Sequence, residues 1–224
     1  MTSQAYKINT AFAVPIAEAR YPNPEKLNQE LKALFVERAE EGDKYKNPYM
    51  TPGKEGLFES DFNVFAWPEP CVQELRKFCL QNLARTVAEL SGFTQERLDR
   101  LNIFTHTWYH VTYKGGYTRA HNHPMAAWSG VYCVDPGEDA PDMPDSGILR
   151  FEDTRHFAQM YLDPANIHMQ SPYGFGSLNF KLEAGQLVLF PSWLVHEVAP
   201  FFGDDVRITL AFNAWFKSTE EAST

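Results

Sequence analysis

The stretch "TRAHNHPMAAWSGVYCVD", residues 118–135, sets two of the chain's seven histidines one residue apart. Pro124 follows them, and the segment then runs into an aromatic, β-branched tract. Residues at i and i+2 of a strand share a face, so the spacing predicts that His121 and His123 point the same way. A pair of imidazoles so placed packs in a core, faces water, or donates to one metal ion. The neutral imidazole is a favoured ligand for first-row metals.

Outward from that stretch the same texture repeats. "IFTHTWYHVTY" (103–113), "WSGVYCV" (128–134), "GILRF" (147–151), "SLNFKLE" (177–183), "QLVLFP" (186–191) and "RITLAFNAWF" (207–216) are short β-branched or aromatic runs separated by Gly, Pro and Asp clusters. Before them, "YKINTAFAVPIAEARY" (6–21) can supply a strand. "NPEKLNQELKALFVERAEEG" (23–42) reads as a helix, with Asn23 as N-cap, Pro24 at the first helical position and Leu27, Leu31, Leu34 and Phe35 on one stripe. A second helix is expected from Pro70 to Leu90, stopped by Gly92. Residues 43–68, rich in Pro, Gly, Asn and aromatics, read as an irregular loop. Helices first and six or more strands afterwards predict a mainly β protein. Its core would be a double-stranded β-helix, a jelly roll of cupin-like form, buttressed by two or more α-helices. The chain 1–224 is read as one domain, with 1–101 supplying a strand and supporting helices and 102–217 the β-helix core.

The length suits one large domain. The hydrophobic fraction of 44% and charged fraction of 22% are those of an ordinary globular chain. Its 17 Phe, 10 Tyr and 5 Trp suit broad sheets and a roofed pocket, and are compatible with a homodimer. A net charge of −9 repels phosphate backbones, which argues against a nucleic-acid partner. The letters "HNH" do not indicate the nuclease family of that name, since no Lys/Arg cluster surrounds them. The longest apolar run is too short to cross a bilayer, and the first residues lack a secretory pattern. Cys71, Cys79 and Cys133 form no C-x-x-C pair, and an odd count argues against a disulfide framework. A reduced, cytoplasmic protein without a membrane partner is expected.

A lone histidine is ordinarily a surface or hydrogen-bonded core residue, and that reading is given to His106, His110, His156 and His168. His196 stands apart because of its setting in "LVLFPSWLVHEVAPFFGDDVRITLAFN" (187–213). A strand ends at Pro191, His196 follows, a "GDD" turn comes next, and Arg207 opens another strand with Thr209 two positions on. Alternation puts Arg207, Thr209 and Ala211 on one face. A buried Arg calls for a planar anion, although Asp204, Asp205 or Glu197 could serve it.

In this order the chain resembles the iron(II)- and 2-oxoglutarate-dependent oxygenases. Their pattern is His-x-Asp/Glu, a distant His, then an Arg with Ser or Thr two positions beyond. Here the matching residues are His121-Asn122-His123, His196, Arg207 and Thr209. More narrowly, "AHNHPMAAWSGVYCV" and "LVLFPSWLVHEV" are similar to a branch of such oxygenases found in bacteria and phages, over residues 103–216. The resemblance implies Fe(II) on His121, His123 and His196. It also implies 2-oxoglutarate as co-substrate, with its far carboxylate on Arg207, Thr209 and Tyr113. Dioxygen and a small-molecule or peptide substrate would complete a reaction that releases succinate and carbon dioxide.

One position departs from the family pattern: His123 stands where a carboxylate is usual. A three-histidine centre, a displaced histidine, or a carboxylate such as Asp153 arriving from elsewhere are the alternatives. Trp128, Tyr132 and Trp193 are candidates to wall the cavity, and Cys133 reads as a small buried hydrophobe. Two other classes stay open. Three histidines also suit a zinc hydrolase or hydratase, which would not need Arg207, and the third class is a cupin-like module in which the metal is structural or absent.

Overall fold

The computed structural model describes residues 6–49, 51–155 and 157–219. Among them nine strands join one antiparallel sheet in the order β1-β7-β4-β9-β3-β8-β5-β6, with β2 pairing β3 off that path. The strands are β1 (Ala17–Arg20), β2 (Lys54–Glu59), β3 (Leu101–His121), β4 (Trp128–Asp135), β5 (Leu149–Phe151), β6 (Leu178–Phe180), β7 (Gln186–Pro191), β8 (His196–Val198) and β9 (Arg207–Ser218). The helices are α1 (Glu25–Glu40), α2 (Pro70–Ser91) and α3 (Gln95–Leu98). The curled sheet is the expected jelly roll, mainly β and buttressed by helices.

Alternation along each strand divides the interior into two sides. Tyr109 and Val111 of β3, Tyr132 and Val134 of β4, Leu187 and Leu189 of β7, and Leu210 and Phe212 of β9 pack against Leu31 and Phe35 of α1 and Leu75, Cys79 and Leu83 of α2. The intervening residues, Cys133, Val188 and Phe190, form a second cluster with Leu149, Phe151 and Leu194 inside the curl. Trp108 and His110 of β3 and Arg207, Thr209 and Ala211 of β9 also face inward, and they line a cleft. The helical side thus supplies the stabilising burial, while the concave side is free to carry polar groups.

β3 is the frame of the site. Its first half pairs with β9 from Leu101↔Ser218 to Thr112↔Arg207. Its second half takes β2 on one flank, with Lys54↔Thr118, and β8 on the other, with His121↔His196. Gly116 permits this exchange of partners, because a side chain there would run into the carbonyl of Gly56.

Three local expectations differ from the structure. The N-cap of α1 is Pro24, not Asn23, because Asn23 adopts a left-handed backbone (φ 51) that closes the preceding turn. The region 43–68 is not wholly irregular. "KEGLFE" forms β2, obscured in the sequence by Gly56 (φ 63) and the register shift around it. Finally, His121 and His123 do not alternate along one strand. β3 ends at His121, and His123 lies in the following turn, where its backbone N–H donates to the Ser192 carbonyl at 2.8 Å.

Candidate metal centre

His121, His123 and His196 converge, each offering a ring nitrogen, and these atoms all lie within 4.8 Å of one another. The ring centroids are 4.4 Å apart for His121–His196, 5.0 Å for His121–His123 and 5.2 Å for His123–His196. Two rings are oriented by the backbone. His121 Nδ1 lies 2.8 Å from the Arg119 carbonyl and His196 Nδ1 lies 2.9 Å from that of Leu194. Nδ1–H donating to a carbonyl leaves Nε2 as the free donor, the arrangement that a metal-ligating histidine needs. Burial pushes all three pKa values down, to about 4 for His123 and about 3 for His196, where the neighbouring His121 also contributes. The rings are therefore neutral at pH 7.

Behind the histidines, Arg207 is 3% exposed. Each acid that could have served it is engaged elsewhere. Asp204 pairs with Lys114 at 2.6 Å and Glu197 with Arg150 at 2.8 Å, while Asp205 accepts from the Glu138 N–H at 2.8 Å. Arg207 Nη2 is buried without a hydrogen-bond partner among the described residues, and burial lowers the pKa of the group. Gly147 (φ 65) lies so close that a Cβ there would sit 3.0 Å from Arg207 Cδ. Thr209, 4% exposed, shares the cleft with Arg207 and the three histidines. An uncompensated buried guanidinium is costly, and a planar anion would relieve it.

The remaining expectations separate by strand parity. Tyr113 does not reach the cleft: it is 46% exposed and has the opposite parity to Trp108 and His110 on β3. His110 is there instead, opposite Thr209 in the β3–β9 register. Its Nε2 lies 2.8 Å from Glu59 Oε2 and 3.4 Å from Lys54 Nζ. Neither the His110 environment nor Lys54 was expected, because both depend on the hidden β2. Trp128, Tyr132 and Trp193 do not wall the cleft. Tyr132 is in the helical core, Trp128 packs against that core, and Trp193 is half exposed. Trp108, Phe190 and Phe212 wall it. Asp153 is held by Arg155 at 2.7 Å and is not part of the histidine cluster. His106 is exposed and stacks edge-on against Trp215, and His156 lies outside the described residues. Cys133 is buried, as expected.

A jelly roll with convergent imidazoles and a buried cation at its open core defines a class, the metal-dependent oxygenases and their cupin-like kin. Comparison narrows it. Residues 106–213 match the family described as "Putative 2OG-Fe(II) oxygenase". Solved structures share the fold. A prolyl-4-hydroxylase from Pseudomonas putida is 19% identical, with a TM-score of 0.60, covering 92% of this chain and 93% of that one. AviO1 from Streptomyces viridochromogenes is 17% identical at TM-score 0.57, covering 90% and 89%. HygX from Streptomyces hygroscopicus, solved with nickel, 2-oxoglutarate and hygromycin B bound, is 10% identical at TM-score 0.52, covering 90% and 82%. No curated protein matches the chain in sequence. Over residues 106–213, 108 of the chain's 224 residues, the chain matches the iron(II)- and 2-oxoglutarate-dependent oxygenases, a class of oxidoreductases. No helix among the described residues is long and apolar enough to cross a membrane.

Proposed function

We propose that His121, His123 and His196 hold Fe(II), and that Arg207 with Thr209 receives the far carboxylate of 2-oxoglutarate. Oxidation of a small-molecule or peptide substrate by dioxygen is then coupled to release of succinate and carbon dioxide. The observation that carries this reading is the buried, unpartnered Nη2 of Arg207 in the cleft that also holds the three imidazoles. A structural zinc module leaves that cation unexplained.

The donor set fits both groups. Three neutral imidazoles, two of them with fixed Nδ1–H bonds, offer ring nitrogens to one ion, and the guanidinium offers the planar fork that a carboxylate requires. The cleft is narrow, about 40 Å³, so a five-carbon diacid must part its walls by side-chain movement. When bound, the metal and co-substrate supply the oxidising chemistry. The chain orients them, and Trp108, Phe190 and Phe212 exclude water. His123 in place of a carboxylate leaves the metal one unit more positive than in the usual two-His, one-carboxylate set. The three free, buried cysteines suit a reducing, cytoplasmic setting, and residues 1–224 are taken as one unit.

The test is turnover of 2-oxoglutarate with Fe(II) and dioxygen. Succinate that appears only with iron, and vanishes in Arg207→Ala, supports the reading. Tight zinc with no succinate under any condition returns the protein to the hydrolase class.

A further inference from the structure

A second, outer cavity of about 360 Å³ opens beside the imidazoles. It shares Lys54, Trp108, Thr118, His121 and His123 with the inner cleft but does not reach Arg207. Its position beside two of the three histidines makes it the place from which a substrate would approach the metal. A substrate site there presupposes that the histidines hold the metal and Arg207 the co-substrate, as proposed.

The chemistry of its lining is one-sided. The chain carries 29 acidic against 20 basic residues, yet among the described residues no Asp or Glu lines this cavity, while Lys54 and Arg119 do. Lys54 is no loose surface cation: its side chain is 10% exposed and ion-paired with Glu59. Glu59 is itself saturated, accepting from Asn47 Nδ2 at 2.8 Å and Thr51 Oγ1 at 2.7 Å on Oε1, and from His110 Nε2 at 2.8 Å on Oε2. This network pins the ammonium at the junction of the two cavities, and an ammonium with three N–H donors keeps one for a ligand. A second donor is independent of the first. Trp108 is 5% exposed, lines both cavities, and its indole Nε1–H is buried without an acceptor among the described residues. Beside these donors lies an apolar wall, where Phe62 meets Trp108 edge-on at 5.3 Å. A metal held by three neutral imidazoles adds positive potential to the same space.

We propose that the outer cavity takes the substrate as a small organic acid. Its carboxylate is received by Lys54 and the Trp108 indole N–H, with Arg119 at the mouth, and its apolar part lies along Phe62 and Trp108.

The probes are benzoate, phenylacetate, 3-phenylpropionate and hexanoate, each with its uncharged amide. They are added to the full chain loaded with Co(II) and saturated with 2-oxoglutarate, and the visible cobalt spectrum is read. The proposal expects at least one acid to shift the spectrum saturably, with its amide about tenfold weaker or more. Arg119→Gln, and Lys54→Met combined with Glu59→Gln so that no buried charge is orphaned, should each weaken that acid, measured against the variant's own 2-oxoglutarate-saturated baseline. Acids and amides binding alike, no acid binding at all, an acid unaffected by either variant, or an acid acting by displacing 2-oxoglutarate each overturn the proposal alone. Failure of cobalt or 2-oxoglutarate to bind before any acid is added overturns the metal-centre reading, and the substrate proposal with it.

Discussion

His121 and His196 are direct cross-strand partners where β3 meets β8, their ring centroids 4.4 Å apart. Each Nδ1 is tied to a carbonyl two residues back in its own chain segment. The pair is thus built into the sheet, whereas His123 joins it from a turn. His196→Ala should therefore lose the metal. Changes to groups that merely support a ligand cost about 10- to 100-fold in affinity, and removal of a ligand should exceed that. His123→Asp should retain metal, since it restores the carboxylate common in such sites. Cobalt titration of both variants checks the pair of outcomes. Equal affinity for His196→Ala and the parent would place the metal elsewhere.

Arg207 sets stability against binding. Its Nη2 is buried and unpartnered, so Arg207→Met should raise the stability of the ligand-free protein by about 1–3 kcal/mol while abolishing 2-oxoglutarate binding. Arg207→Lys should keep the metal yet weaken 2-oxoglutarate at least tenfold, because an ammonium cannot reproduce the two-pronged contact. Urea midpoints and calorimetric titration measure the two effects separately. A destabilised Arg207→Met would mean that the guanidinium is satisfied in the free protein.

Gly130 marks how tightly the cleft floor is built. A Cβ there would run into the Phe212 ring and sit 2.9 Å from Leu189 Cδ2. Gly130→Ala should cost about 1–3 kcal/mol through overpacking. The thermal midpoint reads it, and an unchanged value would show that Phe212 swings clear.

Acidification should weaken the fold through the Glu59–His110 pair. Burial pushes His110 down to about 4 against an ordinary value of 6.5, despite the raising effect of its bond to Glu59. Between those limits the unfolded chain binds a proton that the folded chain refuses. Stability is thus present above pH 6.5 and is lost as pH falls toward 4, at about 1.4 kcal/mol per pH unit for such a group. Burial raises the Glu59 carboxyl, but the bond to His110 and the Lys54 charge outweigh it and hold it below its usual 4.5, so its contribution is lost below that pH. In metal-free protein, His110→Gln should reduce the slope between pH 6.5 and 4 by about 1.4 kcal/mol per pH unit, the three cleft histidines, which burial also lowers, supplying what remains. A slope identical to the parent's would show that His110 is protonated when folded.

The residues at the centre were legible because their signals are local in sequence. The i, i+2 histidines, the histidine after a strand-ending proline, and the alternation of Arg207 with Thr209 need no knowledge of what lies opposite. The i, i+2 spacing brings the two rings together by a different route from the one it implies, since His123 sits in a turn and not on a strand. Tyr113 failed for a reason of parity. Only the register with β9 shows that Trp108 and His110 face the cleft, which sends Tyr113 to the other side. His110, Lys54 and Glu59 were missed together, because their meeting depends on β2, whose alternation is broken at Gly56. Trp128 and Tyr132 went to the helical core, a choice made by packing across the sheet that single-strand patterns do not record.

The most direct test of the central claim is a crystal structure of the protein with zinc in place of iron and N-oxalylglycine in place of 2-oxoglutarate. One ion is expected about 2.0–2.1 Å from a nitrogen of each of His121, His123 and His196, with the far carboxylate of the analogue on the Arg207 guanidinium. An ion bound through Asp153 or at another place, or an analogue that leaves Arg207 Nη2 without a partner, would contradict it.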